Sequence, residues 1–517
     1  MRKNIFKTAL CSVLALAMTT SCELDQYPDG VIPANKAWEK MDDAVNFYTG
    51  LLSSLRGSAG GSQVIVSEVQ SDLFNLRREA IALIGEHDWT FSTGSFAGDG
   101  CWSSNYGLIT TANNIIENID RVPVKFIEDS VNYYQIKGSS LFARALAYSN
   151  MLPRYSKNYD EATAKQDLGL PLLEHVDINA KPSRSSLYDS YEFVQNDINT
   201  AIKFFERADF LKNDILASSK EPRPMLESSL DQPGIASATA LKARVCLEMK
   251  KYDEAIAAAT SLFGDFPLTS ADEYASLWEY DEGSEIIYQP LMSAEKGERG
   301  GLGGYFFGYY EQKQIYQPDF IPTQGLIDLY EDEDVRKSAF FTVKPIGVAD
   351  ITDEANLFNK YPGNPSLRKP EEDGKNHVYN MFKVFRTSEM YLIAAEASLM
   401  KTNRDENAAK QYLNELRAQR NASPLTSSGK ILDNEMKKEW ILEMVGEGVR
   451  LNCLKRWNDG VKRLAPQTFK ELILQDNPKD KYTKLNVQPE DDLYYKMVWE
   501  VPQNDLMSNK NLVPNWK

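Results

Sequence analysis

Apolar residues recur at helical spacing along residues 236–263, which read ASATALKARVCLEMKKYDEAIAAATSLF. This spacing predicts two helices joined by a short turn around Lys250 and Lys251. Small residues on the facing sides allow the helices to approach closely, and larger apolar residues fill the space between them. The small residues are Ala240, Ala243, Ala255 and Ala259, and the larger ones are Leu241, Val245, Leu247, Ile256 and Leu262.

The same segment has the features of a tetratricopeptide helix pair: a small residue at position 243, Tyr252 before the second helix, and the letters DEA at 253–255. Weaker copies of the pattern occupy residues 137–155 and 388–420. Because the copies are far apart in the sequence, they predict helix pairs that come together in space, not a tandem solenoid. The predicted fold class is therefore mostly α, with tetratricopeptide-like helix pairs forming a scaffold.

The segments between these helix pairs have a different composition. Residues 87–105 and 283–325 are rich in Gly, Ser and aromatic residues, and residues 341–380 are interrupted by Pro and Gly. These compositions predict loops with short strands. Long irregular insertions on a rigid scaffold commonly carry binding residues, so we expect a loop-rich ligand-binding face.

The first 21 residues have the layout of a secretory signal peptide. Three basic residues precede an apolar run from Leu10 to Met18, and small residues then lead to Cys22. The stretch resembles a bacterial lipoprotein signal, in which cleavage leaves an acylated cysteine, although Thr19 stands where a leucine is usual. We therefore predict Cys22 as a lipidation site followed by a polar tether over residues 22–30. The alternative is an ordinary secreted protein in which Cys22 is incidental.

The charge of the chain limits its partners. There are 58 basic and 74 acidic residues, giving a net charge of −16, and no block rich in Lys or Arg interrupts the acidic character. Nucleic acid and anionic membrane surfaces are poor partners for such a chain. We therefore expect no nucleic-acid partner, and membrane attachment only through the N-terminal lipid.

Cysteine is sparse in the remainder of the chain. Beyond Cys22 only Cys101, Cys246 and Cys453 follow, so at most one disulfide can form among them. The fold must therefore be stabilised mainly by packing.

Sequence motifs for cofactor, metal or nucleophilic chemistry are lacking. The three histidines, His87, His175 and His377, show no metal-ligand spacing, and no Cys–x–x–Cys pair occurs. Residues 427–431 and 300–308 do not match phosphate-binding or dinucleotide-binding loops, and no G–x–S–x–G motif is found. We therefore predict no cofactor, no metal site and no catalytic residue.

Four glutamates recur at intervals of four near the C-terminal end, namely Glu435, Glu439, Glu443 and Glu447. On one helix they would share a face and repel one another, so they need cationic partners. We expect these partners to be Arg450, Lys455, Arg456 or arginines of neighbouring helices. A structural ion-pair ladder is favoured over the alternative, in which two carboxylates of the chain form a glycosidase acid pair.

Aromatic residues give a further signal in the insertions. Flat aromatic rings stack against the apolar faces of sugar rings, and neighbouring Asp, Asn and Arg side chains can hydrogen-bond the hydroxyls. The pattern suits a carbohydrate ligand, whereas the alternative is that the rings anchor loops to the core. The rings concerned are Tyr305, Phe306, Phe307, Tyr309 and Tyr310 after a glycine-rich approach, and Trp89, Phe91 and Trp102 in the earlier loop.

Four segments in order resemble the SusD/RagB family of surface lipoproteins of Bacteroidetes. Residues 439–460, EWILEMVGEGVRLNCLKRWNDG, resemble the family helix with E–G–x–R followed by L–K–R–W. Residues 499–516, WEVPQNDLMSNKNLVPNW, resemble its closing run, with Val501 before Pro502 and Asp505 in place of the usual glutamate. Residues 386–400 and 101–119 also resemble family segments.

This resemblance implies an α-helical fold in which tetratricopeptide-like helix pairs support a loop-rich ligand face. It also implies a non-enzymatic role at the outer membrane, facing the cell exterior: capture of oligosaccharides and their delivery to a SusC-like TonB-dependent transporter. The corresponding organisation is a signal peptide (1–21), a tether (22–30), an N-terminal region (31–235) and a C-terminal region (236–517), the last two packed as one composite domain.

Ligand residues vary with the glycan in this family, so the candidates are chosen by location. Trp89 is the expected stacking platform, Tyr305 and Tyr309 a second aromatic wall, and Asp72 and Arg78 hydrogen-bonding groups. Trp102 is also a candidate, but a structural role explains it equally well. Two alternatives remain open: the same lid role with peptide cargo, as in the RagB branch, or a surface glycoside hydrolase.

Overall fold

The computed structural model describes residues 37–218, 221–227, 229–295, 301–310, 314–348, 351–370, 378–467 and 485–516. The predicted signal peptide, Cys22, the tether and His377 lie outside these residues. The helices are α1 (Met41–Ala59), α2 (Ser62–Gln70), α3 (Ile84–Asp88), α4 (Asp99–Asn118), α5 (Ile127–Tyr155), α6 (Leu187–Ser218), α7 (Ile235–Glu248), α8 (Tyr252–Thr260), α9 (Tyr274–Glu279), α10 (Gly304–Phe307), α11 (Gln324–Ile327), α12 (Val335–Phe340), α13 (Thr387–Met400), α14 (Glu406–Ala418), α15 (Gly429–Met444), α16 (Arg450–Arg456) and α17 (Gln503–Ser508). Short 3₁₀ helices are formed by Ile119–Arg121, Pro365–Leu367 and Tyr494–Met497.

The strands are short and most lie within the predicted insertions. They are β1 (Phe74–Leu76), β2 (Ile286–Tyr288), β3 (Tyr309–Tyr310), β4 (Ile315–Tyr316), β5 (Phe320–Pro322), β6 (Phe341–Val348), β7 (Ile351–Phe358), β8 (Phe385–Arg386), β9 (Val461–Lys462) and β10 (Asn486–Val487). Antiparallel pairs join β1 to β5, β2 to β8, and β9 to β10, and a four-stranded sheet has the order β3–β4–β6–β7. In that sheet β4 and β6 run parallel to each other.

The scaffold is a row of packed helices that contains the three predicted repeats. The best repeat forms α7 and α8, and the turn between them places Lys250 in the left-handed region at φ 59°. Contacts run from α4 through α5, α6, α7 and α8 to α13 and α14, although a long insertion separates α8 from α13. The prediction that distant helix pairs assemble in space is confirmed. Helix α6 of the N-terminal region also packs on α7, the first helix after residue 235.

Three members of the glutamate series, Glu439, Glu443 and Glu447, form a buried ion-pair cluster, as expected, and their partners include arginines of the neighbouring helices α12 and α14. Glu443 forms ion pairs with three arginines from outside its helix. Its carboxylate lies 3.0 Å from the Arg336 guanidinium and 3.1 Å from that of Arg420, and it also pairs with Arg386. The remaining pairs join Glu439 to Arg336 and Arg417, and Glu447 to Lys360 and Arg386.

One expectation about this series is wrong, and the expected partners are confirmed only in part. Helix α15 ends at Met444, so Glu447 lies beyond it and does not share the helix. The basic residues that follow along the chain do not pair with this glutamate series. Arg450 pairs with Asp72, and Arg456 pairs with glutamates of α7 and α13. Glu435 is half-buried and accepts a hydrogen bond from Ser427.

The three cysteines of the described chain are buried and free, so no disulfide joins them. Burial raises the pKa of the Cys101 and Cys246 thiols to about 11, and that of Cys453 to about 12. They therefore serve as small apolar core residues.

Candidate functional site

The pairing of β1 with β5 joins the segment that follows α2 to the glycine- and aromatic-rich insertion, residues 283–325. Leu76 lies opposite Phe320, and just beyond this pair the Arg77 amide donates to the Asp319 carbonyl at 3.0 Å. The Asp319 amide in turn donates to the Tyr305 carbonyl at 2.9 Å. Arg78 and Tyr305 therefore lie on adjoining segments, and Tyr309 and Tyr310 follow Tyr305 closely along the chain. We call these residues together the aromatic face (Arg78–Ile84, Tyr305, Tyr309, Tyr310 and Asp319).

The tyrosines of the aromatic face differ in exposure. Tyr305 is half-buried, with its ring 6.4 Å from that of Phe320. Tyr309 is also half-buried and packs 4.9 Å from the ring of Tyr316. Its neighbour on β3, Tyr310, is 39% exposed. Tyr310 belongs to the aromatic run that the sequence analysis noted, but it is not among the six candidate ligand residues.

A protruding loop adjoins the Tyr305 segment through Asp319. Glu79 and Leu83 both adopt left-handed backbone conformations, with φ of 67° and 52°, and Ile81 between them is 88% exposed. Left-handed conformations of non-glycine residues cost free energy and are frequent at binding sites. The backbone amides of Ile81 and Ala82 lie near enough to the Asp319 carboxyl to lower its pKa, which places the loop next to the insertion.

The Asp319 carboxyl is partly shielded from water. Burial raises its pKa above the usual value, while Arg77 and the two loop amides act in the opposite direction. The aromatic face therefore combines accessible rings with a guanidinium at Arg78 and a carboxylate at Asp319, the side-chain types that bind sugar rings and their hydroxyls.

Trp89 does not lie on this face. Its side chain is only 1% exposed, and its indole NH donates to the Gln70 carbonyl at 3.0 Å. The Trp89 carbonyl accepts from the Lys496 ammonium at 2.8 Å. A ring this deeply buried has no free side for a sugar, so the expected stacking platform is a core residue that joins α2 to the C-terminal segment.

Asp72 and Trp102 are also structural. Asp72 is 5% exposed and forms a two-point ion pair with Arg450, at 2.9 and 2.7 Å. Trp102, likewise 5% exposed, packs 4.8 Å from Tyr106 and 5.0 Å from Tyr155. Both side chains are engaged inside the protein, so of the six candidates only Arg78, Tyr305 and Tyr309 lie on the aromatic face.

Two further features concern the described residues only. No group of three or more His, Cys, Asp or Glu side chains in this part of the chain is arranged to hold a metal ion. None of the described helices combines the length and the apolar character needed to cross a bilayer.

Two family models match the chain. The model of the SusD family matches residues 347–516, and a model described as starch-binding and associating with the outer membrane matches residues 36–210. Together they cover well over half of the 517 residues. The chain belongs to the SusD/RagB family.

Solved structures agree with this assignment at the level of the fold. A SusD superfamily protein from Bacteroides thetaiotaomicron is 21% identical, with a TM-score of 0.73, covering 92% of this chain and 100% of its own. A SusD-like carbohydrate binding protein from Bacteroides vulgatus is 18% identical, with a TM-score of 0.70 and coverages of 92% and 97%. Surface glycan-binding protein A from Bacteroides fluxus is 17% identical, with a TM-score of 0.63 and coverages of 93% and 99%. No curated protein matches the chain significantly.

The SusD/RagB signature at residues 439–460 builds the scaffold. Gly446 and Gly448 have φ of 83° and 77°, and a Cβ on Gly448 would lie 2.6 Å from the backbone of Val64. Lys455 donates to the carbonyls of Pro153 and Ser156, and so caps the C-terminal end of α5 with a positive charge. These roles explain why the motif identifies the family without revealing the ligand.

The second half of the signature joins three helices. Arg456 of α16 binds Glu396 of α13 at 2.8 and 2.9 Å, and also Glu248 of α7 at 2.8 Å. The Trp457 indole NH donates to the same Glu396 at 2.9 Å. The L–K–R–W segment therefore holds the helix pairs of this SusD/RagB protein in register.

Glu68 of α2 lies next to the signature glycines, and its burial leads us to expect that stability depends on pH. It is fully buried and accepts from the Gly448 amide at 2.7 Å, and burial raises its pKa from 4.5 to about 7. The unfolded chain releases this proton at lower pH than the folded chain, so the contribution of Glu68 to stability falls as pH rises from 4.5 to 7. We expect Glu68→Gln to become more stable relative to wild type by about 3 kcal/mol over this range.

Urea unfolding at pH 4.5 and 7.5 measures this change, with exposed Glu415→Gln as the control. Parallel pH profiles for wild type and Glu68→Gln would contradict the prediction.

Proposed function

We propose that this protein is a lipoprotein of the outer-membrane surface that binds oligosaccharides and delivers them to a SusC-like TonB-dependent transporter. The lipid on Cys22 would hold the protein at the membrane, facing outward. The role is binding without catalysis. The observation that carries this proposal is the aromatic face, on which accessible tyrosine rings lie beside a guanidinium and a carboxylate.

The chemistry of the face fits a neutral sugar. Tyr305 and Tyr310 offer ring surface for the apolar side of a pyranose. The Arg78 guanidinium can donate to hydroxyl oxygens, and the Asp319 carboxylate can accept from hydroxyl groups. Ile81 adds exposed apolar surface at the rim of the same face.

The remaining parts of the proposal come from family and sequence. The matched family description names starch binding and outer-membrane association, and one relative of the same fold is a surface glycan-binding protein. The transporter partner follows from family resemblance, and the anchor follows from the lipoprotein-like signal before Cys22.

The cargo class is tested with soluble protein that begins just after Cys22. We expect saturable binding to members of a glycan array, no selective binding in a peptide library, and no release of reducing sugar from the bound glycans. Selective peptide binding would favour the peptide-carrying alternative. Released reducing sugar would instead support a glycoside hydrolase and overturn the proposal.

The site is tested with Tyr305→Ala and Tyr310→Ala. Loss of one stacking ring is expected to weaken binding of the array-identified glycan about five- to tenfold, which corresponds to about 1 to 1.4 kcal/mol. Tyr412→Ala, a half-buried tyrosine of α14, is the matched control. Titration calorimetry measures the affinities. Unchanged affinity in both variants would show that the glycan binds elsewhere.

A further inference from the structure

A second open groove lies away from the aromatic face. It is formed by the segment after α5 (Lys157–Asp167), the end of α16, the turn at Lys250 and the 3₁₀ helix Tyr494–Met497, and encloses about 520 Å³. None of its lining residues belongs to the aromatic face. A groove of this volume can hold several sugar units.

The groove has an aromatic wall that is both accessible and braced. Tyr495 is 50% exposed, and its ring packs nearly perpendicular to that of Trp516, at 5.8 Å and 78°. Tyr494 beside it is half-buried, and its hydroxyl donates to the Asp459 carbonyl at 3.3 Å. Rigid, partly exposed tyrosines provide stacking area at low entropic cost.

Two asparagines supply polar groups that the described chain does not fully use. The Asn158 amide nitrogen donates to the Lys455 carbonyl, which leaves the Asn158 side-chain oxygen available. Asn458, which is exposed, makes no side-chain hydrogen bond to any described residue. Planar amides of this kind can both donate to and accept from sugar hydroxyls.

The groove is locally basic in an acidic protein. Four of its lining residues are basic (Lys157, Lys250, Lys455 and Arg456) and two are acidic (Asp160 and Asp167), whereas the whole chain has a net charge of −16. Lys157 pairs with Asp167 at 2.8 Å, and Arg456 pairs with glutamates.

Two of these lysines have no carboxylate partner among the described residues. Lys250 is exposed, and Lys455 donates to backbone carbonyls only. Lys455 is 5% exposed and its ammonium is held by these carbonyls, so Lys250 is the cation that a ligand in the groove can reach.

We propose that this groove is a separate binding site for acidic oligosaccharides, those that carry uronic acid carboxylates. Tyr495 stacks on a sugar ring, Asn158 and Asn458 bind hydroxyl groups, and Lys250 pairs with a carboxylate. The inference rests on the proposed function for the general class of ligand, but it does not depend on the aromatic face.

The probes are tetrasaccharides of galacturonic, glucuronic and mannuronic acid, each compared with its counterpart in which the carboxyl groups are reduced to alcohols. We expect at least one acidic tetrasaccharide to bind the soluble protein more tightly than its reduced form, and this preference to shrink between 50 and 500 mM NaCl. Tyr495→Ala should weaken its binding at least fivefold. Lys250→Gln should remove most of the preference for the acidic form.

The variants also separate this inference from the proposed function. Tyr310→Ala should leave acidic binding unchanged, while Tyr495→Ala should leave binding of the array-identified neutral glycan unchanged. Far-ultraviolet circular dichroism and urea unfolding confirm that each variant is folded. Absence of binding by all three acidic probes, or acidic binding that survives both Tyr495→Ala and Lys250→Gln, would overturn the inference even if the aromatic face binds its glycan.

Discussion

Glu443→Gln is expected to lower the free energy of unfolding by about 3 to 5 kcal/mol, because it removes the charge that compensates buried arginines. Glu443 is fully buried and lies within hydrogen-bonding distance of Arg336, Arg386 and Arg420. The substitution keeps the shape of the side chain, so the loss reports charge and hydrogen bonding and not a cavity. Urea unfolding followed by circular dichroism measures it.

Glu435→Gln is the matched control for this experiment. It makes the same chemical change on the same helix, but at a half-buried position. We expect a loss of less than about 1 kcal/mol there, as for other partly exposed charges. Equal losses at the two positions would contradict the view that the buried cluster holds the C-terminal helices together.

Glu443 also predicts the acid sensitivity of the protein. Burial alone would raise its pKa, but Arg420, Arg386 and Arg336 outweigh burial and hold the pKa well below 4.5. The stabilisation is therefore present above the pKa of the unfolded chain and is lost as pH falls below about 4.5. Wild type should lose stability in this range more steeply than Glu443→Gln does.

Trp89→Ala is expected to cost about 3 to 5 kcal/mol of stability, because it removes a large buried side chain and leaves a cavity. The same change would also remove the hydrogen bond from the indole NH to Gln70. Thermal and urea unfolding measure the loss. In protein that is still folded, we expect the affinity for the array-identified glycan to be unchanged.

Tyr310→Ala is the reciprocal control for Trp89→Ala. Its ring is 39% exposed, so its removal should affect binding much more than stability. A Trp89→Ala variant with wild-type stability and weakened glycan binding would contradict the core role and would restore Trp89 as a ligand residue.

The scaffold could be predicted from the sequence because its signals are local. Spacing of apolar residues and the turn around Lys250 define α7 and α8 without reference to any other part of the chain. The end of α15 was harder to predict from the sequence. The apolar pattern continues past Met444, and only Gly446 and Gly448 indicate that the helix stops there.

The candidate site was harder to predict because exposure depends on distant contacts. Trp89 stands in a polar, glycine-containing segment, which suggests an accessible loop. It is buried by Gln70 and by Lys496, a residue more than 400 positions away. Asp72 likewise has its partner, Arg450, far along the chain. Loop composition showed where binding residues concentrate, but it could not distinguish rings that face water from rings that anchor loops.

The pairing of β1 with β5 makes the aromatic face dependent on the whole fold. Each strand has three residues, and nearly 250 residues of chain separate them. The two halves of the face are held together by this long-range pairing, so an isolated fragment would carry only one of them. A glycan that spans Arg78 and Tyr310 would cross-link the two segments, and by mass action it would raise the melting temperature of the entire protein. A glycan that raises the melting temperature of wild type but not that of Tyr310→Ala is therefore bound at this face.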